Sequence, residues 1–221
     1  MKFLIAFFSL SICYSTVKVQ TSISDTIGVH FLYGSKPAKA FQDVERKWFG
    51  GILGGHVGIA STPNEIVNFL PNGNFHYLSS KTELNSQFVV SDSIQFYQIL
   101  GGSFTSAQRT TIHIPVTAKQ KEQLDSIHHE YLSNSPYDYA FIGMRCGSAT
   151  YDVLAQLGIV RKMSKWKMAL TIFYPRKLRH RLLRKAKKNN WRVCHYQGTH
   201  RRQWEEDWVY KSALEQCFPA P

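Results

Sequence analysis

The chain has 221 residues, of which 43% are hydrophobic, and a formal net charge of +12. That is long enough for one domain with a sizeable core, and too apolar and aromatic for an intrinsically disordered protein. No stretch reaches the roughly 20 apolar residues that a membrane-spanning helix needs.

The N-terminus reads Lys2, an apolar run over residues 3–12 and a polar stretch to Ser24, the pattern of a secretory signal peptide over residues 1–20. Cleavage is expected between Ser15 and Ser22, giving an exported protein, periplasmic or secreted. Cys13 follows the bulky Ile12, where lipidation requires a small residue, so no lipid anchor is expected. Removing Cys13 leaves Cys146, Cys194 and Cys217, an odd number, and one thiol is left over in an oxidising compartment. Cys194 and Cys217 share a C-terminal segment and can close a loop worth roughly 3 kcal/mol. A pairing that uses Cys146 stays open.

Residues 27–33 are rich in β-formers and predict a strand that ends in the turn at 34–37. Residues 38–49 fit a short helix or ordered loop, and 50–55 are glycine-dense. A hairpin is predicted from 56–60 and 65–69, then a turn at 71–74 and surface loop over 80–92. Residues 93–100 and 110–116 alternate like strands. Thr117 and Gln120 form a capping box for a helix that carries Leu124, Ile127, Tyr131 and Leu132 on one face. An apolar run from Tyr139 then ends in a turn that delivers Cys146 to the start of an apolar-periodic helix stopped by Gly158. At a helix N-terminus, free N–H groups and the helix dipole favour a thiolate. Most buried cysteines only pack, so a nucleophile needs partners.

Charge is segregated. Through Val160, Lys/Arg and Asp/Glu number 11 each; from Arg161 onward they number 16 and 4. The densest run, 176–188, predicts a basic amphipathic helix with Leu178, Leu182 and Leu183 as its apolar stripe. Arg176, Arg179 and Arg184 are its candidates for contact with an anionic polymer or lipid surface. The competing reading packs the leucines on the core and leaves a solvated basic face. Trp191, Trp204 and Trp208 argue that this segment is folded. The expected division is a signal peptide (1–20), a catalytic domain (24–162) and a basic, Trp-containing extension (163–221).

A cysteine nucleophile requires a base, and the base an orienting group. Among nine histidines, His56 follows the glycine-rich turn and opens a strand, and Asn68 lies on the partner strand of the same hairpin. Cys146, His56 and Asn68 thus make a candidate triad of thiolate, general base and neutral orienter. Tyr33 and His76 are weaker candidates for the cleft. No CxxC or HExxH spacing is present, and neither metal nor cofactor is expected.

Gly55-His56-Val-Gly-Ile-Ala, the polar residue at 68, the capped helix and the apolar run into Arg145-Cys146-Gly-Ser-Ala resemble the circularly permuted NlpC-type papain-like hydrolases, a group that includes the lecithin:retinol acyltransferase-like proteins. The resemblance covers roughly residues 27–160. It implies an α+β fold, with an antiparallel sheet packed against helices and the cysteine at a helix N-terminus. Acyltransferase members carry histidine at the third position and an Asn-Cys-Glu signature; here Asn68 and Arg145-Cys146-Gly147 stand instead, which speaks against lipid acyl transfer. The expected activity is hydrolysis of an amide or peptide bond, with cell-wall peptides as one substrate class. The alternative is a non-catalytic binding module that contacts anionic surfaces through the basic segment. An exported protein is not expected to meet nucleic acid.

Overall fold

The structure is a computed structural model that describes residues 25–47, 54–74, 76–80 and 82–205. The expected signal peptide, Cys13, Trp208 and Cys217 lie outside the described residues. In chain order, β1 (Asp25–Leu32) is followed by β2 (Ser35–Pro37), a 3-10 turn at Lys39–Phe41, the hairpin β3 (His56–Thr62) and β4 (Glu65–Pro71), then β5 (His76–Leu78) and β6 (Ser86–Ser91). Helix α1 (Ser93–Gln98), β7 (Arg109–Val116), α2 (Ala118–Ser133) and β8 (Ala140–Ile142) lead to α3 (Cys146–Gln156). The described chain closes with α4 (Lys165–Thr171), α5 (Pro175–Asn189), β9 (Val193–Tyr196) and β10 (Arg202–Trp204).

Six of these strands form one sheet in the order β6-β4-β3-β1-β7-β9, every neighbouring pair antiparallel. Alternation along the strands assigns its faces. Ile27, Val29, Phe31, Val57, Ile59, Val67, Phe69, Ile112 and Ile114 join the main core. The helices meet them there with Leu124 and Ile127 of α2, Val153 and Leu154 of α3, Met168 of α4 and Leu182 of α5. Leu32, Ala60 and Ile66 instead join a smaller cluster with Phe96, Tyr97 and Leu100. The fold is therefore α+β, an antiparallel sheet packed against helices.

Two expected elements differ. Residues 93–100 begin as helix α1, because Asp92 accepts from the Gln95 N–H (2.8 Å) while the Gln95 side chain takes the Asp92 N–H (3.2 Å). That reciprocal cap overrides a weak alternation. The expected loop over 80–92 contains β6, which pairs with β4 from Ile66↔Ser91 to Pro71↔Ser86. Its polar ends, Ser86-Gln87 and Ser91, conceal a strand whose apolar centre is only three residues long. Helix α2 forms behind Thr117 as its capping box predicts, with Leu124, Ile127 and Tyr131 buried and Leu132 exposed.

The basic segment is not an appendage. Leu178, Leu182, Leu183 and Ala186 of α5 enter the main core, β9 extends the sheet beside β7, and β10 pairs with β2. No helix among the described residues is long and apolar enough to cross a membrane.

Candidate active site

The site begins with the turn that presents Cys146. Short β8 lies parallel to β5, with Leu78 opposite Ile142, and the turn closes through the Ala140 N–H on the Met144 carbonyl (3.3 Å). Asp138 anchors it from below, its carboxylate accepting from the Ser80 N–H (2.8 Å), the Asn85 N–H (2.9 Å) and His76 Nδ1 (2.8 Å). Burial alone raises the Asp138 pKa, but these donors reverse the effect and hold it below the usual carboxylate range. Cys146 is then the first residue of α3, and the Arg145 N–H is capped by Ser148 Oγ at 2.8 Å.

Gly147 has a steric reason to be glycine. A Cβ there lies 3.0 Å from the Ile172 carbonyl and 3.3 Å from the Pro175 nitrogen. The missing side chain lets the segment between α4 and α5 cross directly over the start of α3. Phe173, Tyr174 and Pro175 thereby form a wall of the cleft that contains Cys146. Across it stand Gly54, Gly55 and His56, and Tyr139, Phe141 and Arg145 line the same cavity of about 460 Å³, with Leu70, Pro71, Ile99 and Leu100 at its apolar side.

His56 and Asn68 come together through strand register. Asn68 pairs with Gly58, two residues beyond His56, so the two side chains are diagonal neighbours on one face. Gly58 lies between them, and a Cβ there meets Ile66 Cγ2 at 2.7 Å and the Phe96 ring at 2.9 Å. The same Phe96 ring packs on the His56 imidazole with centroids 5.4 Å apart.

The Asn68 amide fixes the histidine tautomer. Its Nδ2 donates toward the Ile66 carbonyl (3.3 Å), the Val89 carbonyl (3.2 Å) and Ser91 Oγ (3.1 Å). Carbonyl oxygens only accept, so Nδ2 must face them and Oδ1 must face His56 Nε2, at 2.9 Å. Nε2 therefore carries its hydrogen, and Nδ1 is the nitrogen left to exchange a proton with Cys146. The thiol and imidazole are hydrogen-bonded to each other.

Both groups are buried, at 4% exposure each. Burial penalises their charged forms, yet each charge stabilises the other. For Cys146 the penalty is outweighed first by attraction to His56, then by its hydrogen bond, the nearby Arg145 cation and the Gly147 N–H, and the thiol pKa falls below its ordinary value. For His56 the Cys146 thiolate, through charge and hydrogen bond, and the Asn68 contact overcome desolvation and raise the imidazole pKa. Both shifts move the pair in the direction of thiolate and imidazolium.

Tyr139 was invisible to sequence reasoning as a site residue. Its phenol is hydrogen-bonded to both Arg145 and Cys146, and burial followed by the neighbouring thiolate pushes its pKa up. Phe173 to Pro175 were missed too, because nothing in the sequence says that the chain returns over α3. The nearest signals were Gly147 and an aromatic pair just before the α5 proline.

Several expected site residues lie elsewhere. Tyr33 is fully buried, with its hydroxyl on Thr110 Oγ1 (2.9 Å) and its ring under the Arg179 guanidinium (3.6 Å), so it lines no part of the Cys146 cleft. His76 is also outside the cleft: Nδ1 donates to Asp138 and Nε2 accepts from Asn85 Nδ2 (3.2 Å), leaving neither nitrogen for catalysis. Arg179 points inward at 0% exposure and pairs with Glu205 at 2.9 Å, because its helix turns that face to the core. Arg184 remains exposed and Arg176 half-buried.

A larger groove of about 750 Å³, lined among others by Leu78, Leu84, Lys165 and Trp166, holds neither cysteine nor histidine. Chemistry places the site in the smaller cleft. Cys146 is the free cysteine among the described residues; Cys194 is disulfide-bonded, with its partner outside them.

The amide lock carries a test. In Asn68→Asp, a carboxylate oxygen facing the Ile66 and Val89 carbonyls must either repel them or stay protonated. A carboxyl kept neutral by the fold has a raised pKa, so its stability is intact below the ordinary carboxylate range and is lost as pH rises. We expect a loss of about 2 kcal/mol, or roughly 4–8 °C in melting temperature, at pH 7, shrinking towards pH 4 relative to wild type. Equal melting temperatures across that range refute the assigned amide orientation.

Compared with known protein families, with curated proteins and with solved structures, the chain matches none.

Proposed function

We propose that this protein is a thiol hydrolase of permuted papain-like arrangement, which cleaves an amide or peptide bond through Cys146, His56 and Asn68. The observation that carries the reading is the buried thiol–imidazole–amide chain, with Asn68 Oδ1 at 2.9 Å from His56 Nε2 and the other ring nitrogen left for the thiol. The Cys146 thiolate adds to the carbonyl carbon, and the N–H groups of the first turn of α3 face the developing oxyanion. His56 Nδ1–H passes its proton to the departing nitrogen, the C–N bond breaks and an amine leaves. Water then attacks the thioester, giving His56 a proton, and the acid is released as the C–S bond breaks.

The disulfide at Cys194 fits an exported protein, as the N-terminal leader pattern does. A binding module working through residues 176–188 draws less support, since Arg179 and the leucine stripe are occupied by the core.

The test is a panel of peptide and acyl-amide substrates, including cell-wall peptides, incubated with wild type and Cys146→Ala. Intact-mass measurement after an acid quench should find an acyl adduct on Cys146, removable by hydroxylamine, together with free amine. No adduct and no amine beyond the Cys146→Ala level overturns the proposal.

A further inference from the structure

Arg145 stands beside Cys146 and helps to lower its pKa, yet it neither gives nor takes a proton in the steps above. Its guanidinium lies 4.5 Å from the centroid of Phe173 and 5.7 Å from that of Phe141, two rings that meet edge-on at 5.5 Å. All three side chains line the Cys146 cleft. The Tyr139 phenol occupies one position on the guanidinium, out of five N–H donors in a fixed planar fork. None of the described residues that line the cleft is acidic. Aromatic faces hold the half-buried cation in place beside the cleft without using its N–H donors.

We infer that Arg145 is a carboxylate subsite, and that the substrate of this hydrolase carries an acidic group next to the scissile carbonyl. A planar fork resting against phenyl rings matches a carboxylate in two parallel hydrogen bonds, a geometry that a lysine cannot reproduce. The inference rests on Cys146 being the nucleophile. It adds that binding energy from the acidic group orients the carbonyl over the sulfur. The net charge of +12 attracts anionic substrates to the chain in general, and Arg145 selects among them inside the cleft.

Two alkylating reagents of nearly equal size separate these claims without a known substrate. Iodoacetamide and iodoacetate both form an S–C bond at Cys146 with loss of iodide; only iodoacetate carries a carboxylate. The ratio of their rate constants cancels any change in the amount of thiolate. For wild type we expect an iodoacetate-to-iodoacetamide ratio about tenfold or more above that of N-acetylcysteine at the same pH and salt. Arg145→Met should bring the ratio down to that of the small thiol, and Arg145→Lys should retain part of it. A wild-type ratio equal to that of the small thiol overturns the inference and leaves the hydrolase reading standing. A high ratio that survives Arg145→Met also overturns it, since the attraction then belongs to His56 or to the general field. If Cys146 reacts with neither reagent, both readings fall.

Discussion

His56→Ala will lower the alkylation rate of Cys146 by iodoacetamide at pH 6 by at least about tenfold, and its turnover by about a thousandfold or more. An ordinary thiol with a pKa near 8.5 is only about 0.3% ionised at pH 6, so complete ionisation offers at most about 300-fold. A stabilised thiolate is less nucleophilic, which takes back roughly one order of magnitude. Wild-type Cys146 should therefore outpace a simple thiol by about tenfold or more. Without the imidazolium the sulfur keeps its burial, which disfavours the anion. The variant should thus fall to the simple thiol or below. The signs of both shifts also shape the turnover profile. The acid limb, set by Cys146 ionising, lies below the usual thiol range; the alkaline limb, set by His56 losing its proton, lies above the usual imidazole range. A Cys146 that reacts at pH 6 no faster than N-acetylcysteine, and is indifferent to His56→Ala, removes the triad.

The second large effect is on stability. Arg179→Met should lower it by about 3–5 kcal/mol, or roughly 6–20 °C in melting temperature. Arg179 is 0% exposed, rests on the Tyr33 ring at 3.6 Å and meets Glu205 Oε1 at 2.9 Å, while Glu205 is itself 2% exposed. Methionine removes the guanidinium and leaves a buried carboxylate without that cation. Arg179→Met/Glu205→Leu should recover most of the loss, because apolar replacement of both partners removes the uncompensated charge. The pair also packs beside the candidate site. Glu205 Oε1 accepts the Gly34 N–H at 3.1 Å, and a Cβ on Gly55, next to His56, lies 3.1 Å from the same oxygen. A melting temperature within about 2 °C of wild type in Arg179→Met shows that the charges are not buried together.

Much of the candidate triad's placement is legible in the sequence because its parts lie on strongly patterned elements. Val57 and Ile59, alternating with small residues after His56, and the turn at Ser61–Asn64 make a hairpin from local rules, and the hairpin puts Asn68 near His56. The apolar period after Cys146, ended by Gly158 at φ 71°, marks a helix start at the cysteine. Long-range closure was not legible. Tyr139 meets the sulfur only after β8 pairs with β5, a three-residue contact between segments some 60 residues apart. Phe173 to Pro175 reach the cleft because Gly147 admits them, and no period or cap encodes that crossing. The orientation of the basic run was illegible for a related reason. Its charge is dense enough to suggest an external surface, but α5 turns the leucine stripe and Arg179 inward together, and side-chain direction is set by helix phase rather than by composition.

The crossing of residues 172–175 over α3 has a consequence for the order in which reactivity arises. A chain made from its N-terminus holds His56, Asn68 and Cys146 well before the cleft wall, α5 and the Arg179–Glu205 pair exist. The sheet's central strand β1 pairs with both β3 and β7, so its core can assemble early, while β9 is added at the edge from the far end of the chain. Until that last segment docks, the sulfur lacks the shielding of Phe173 and Pro175 and remains closer to an ordinary, solvated thiol. An incompletely folded or truncated chain can therefore contain Cys146, His56 and Asn68 while its cleft still lacks the wall of Phe173 to Pro175.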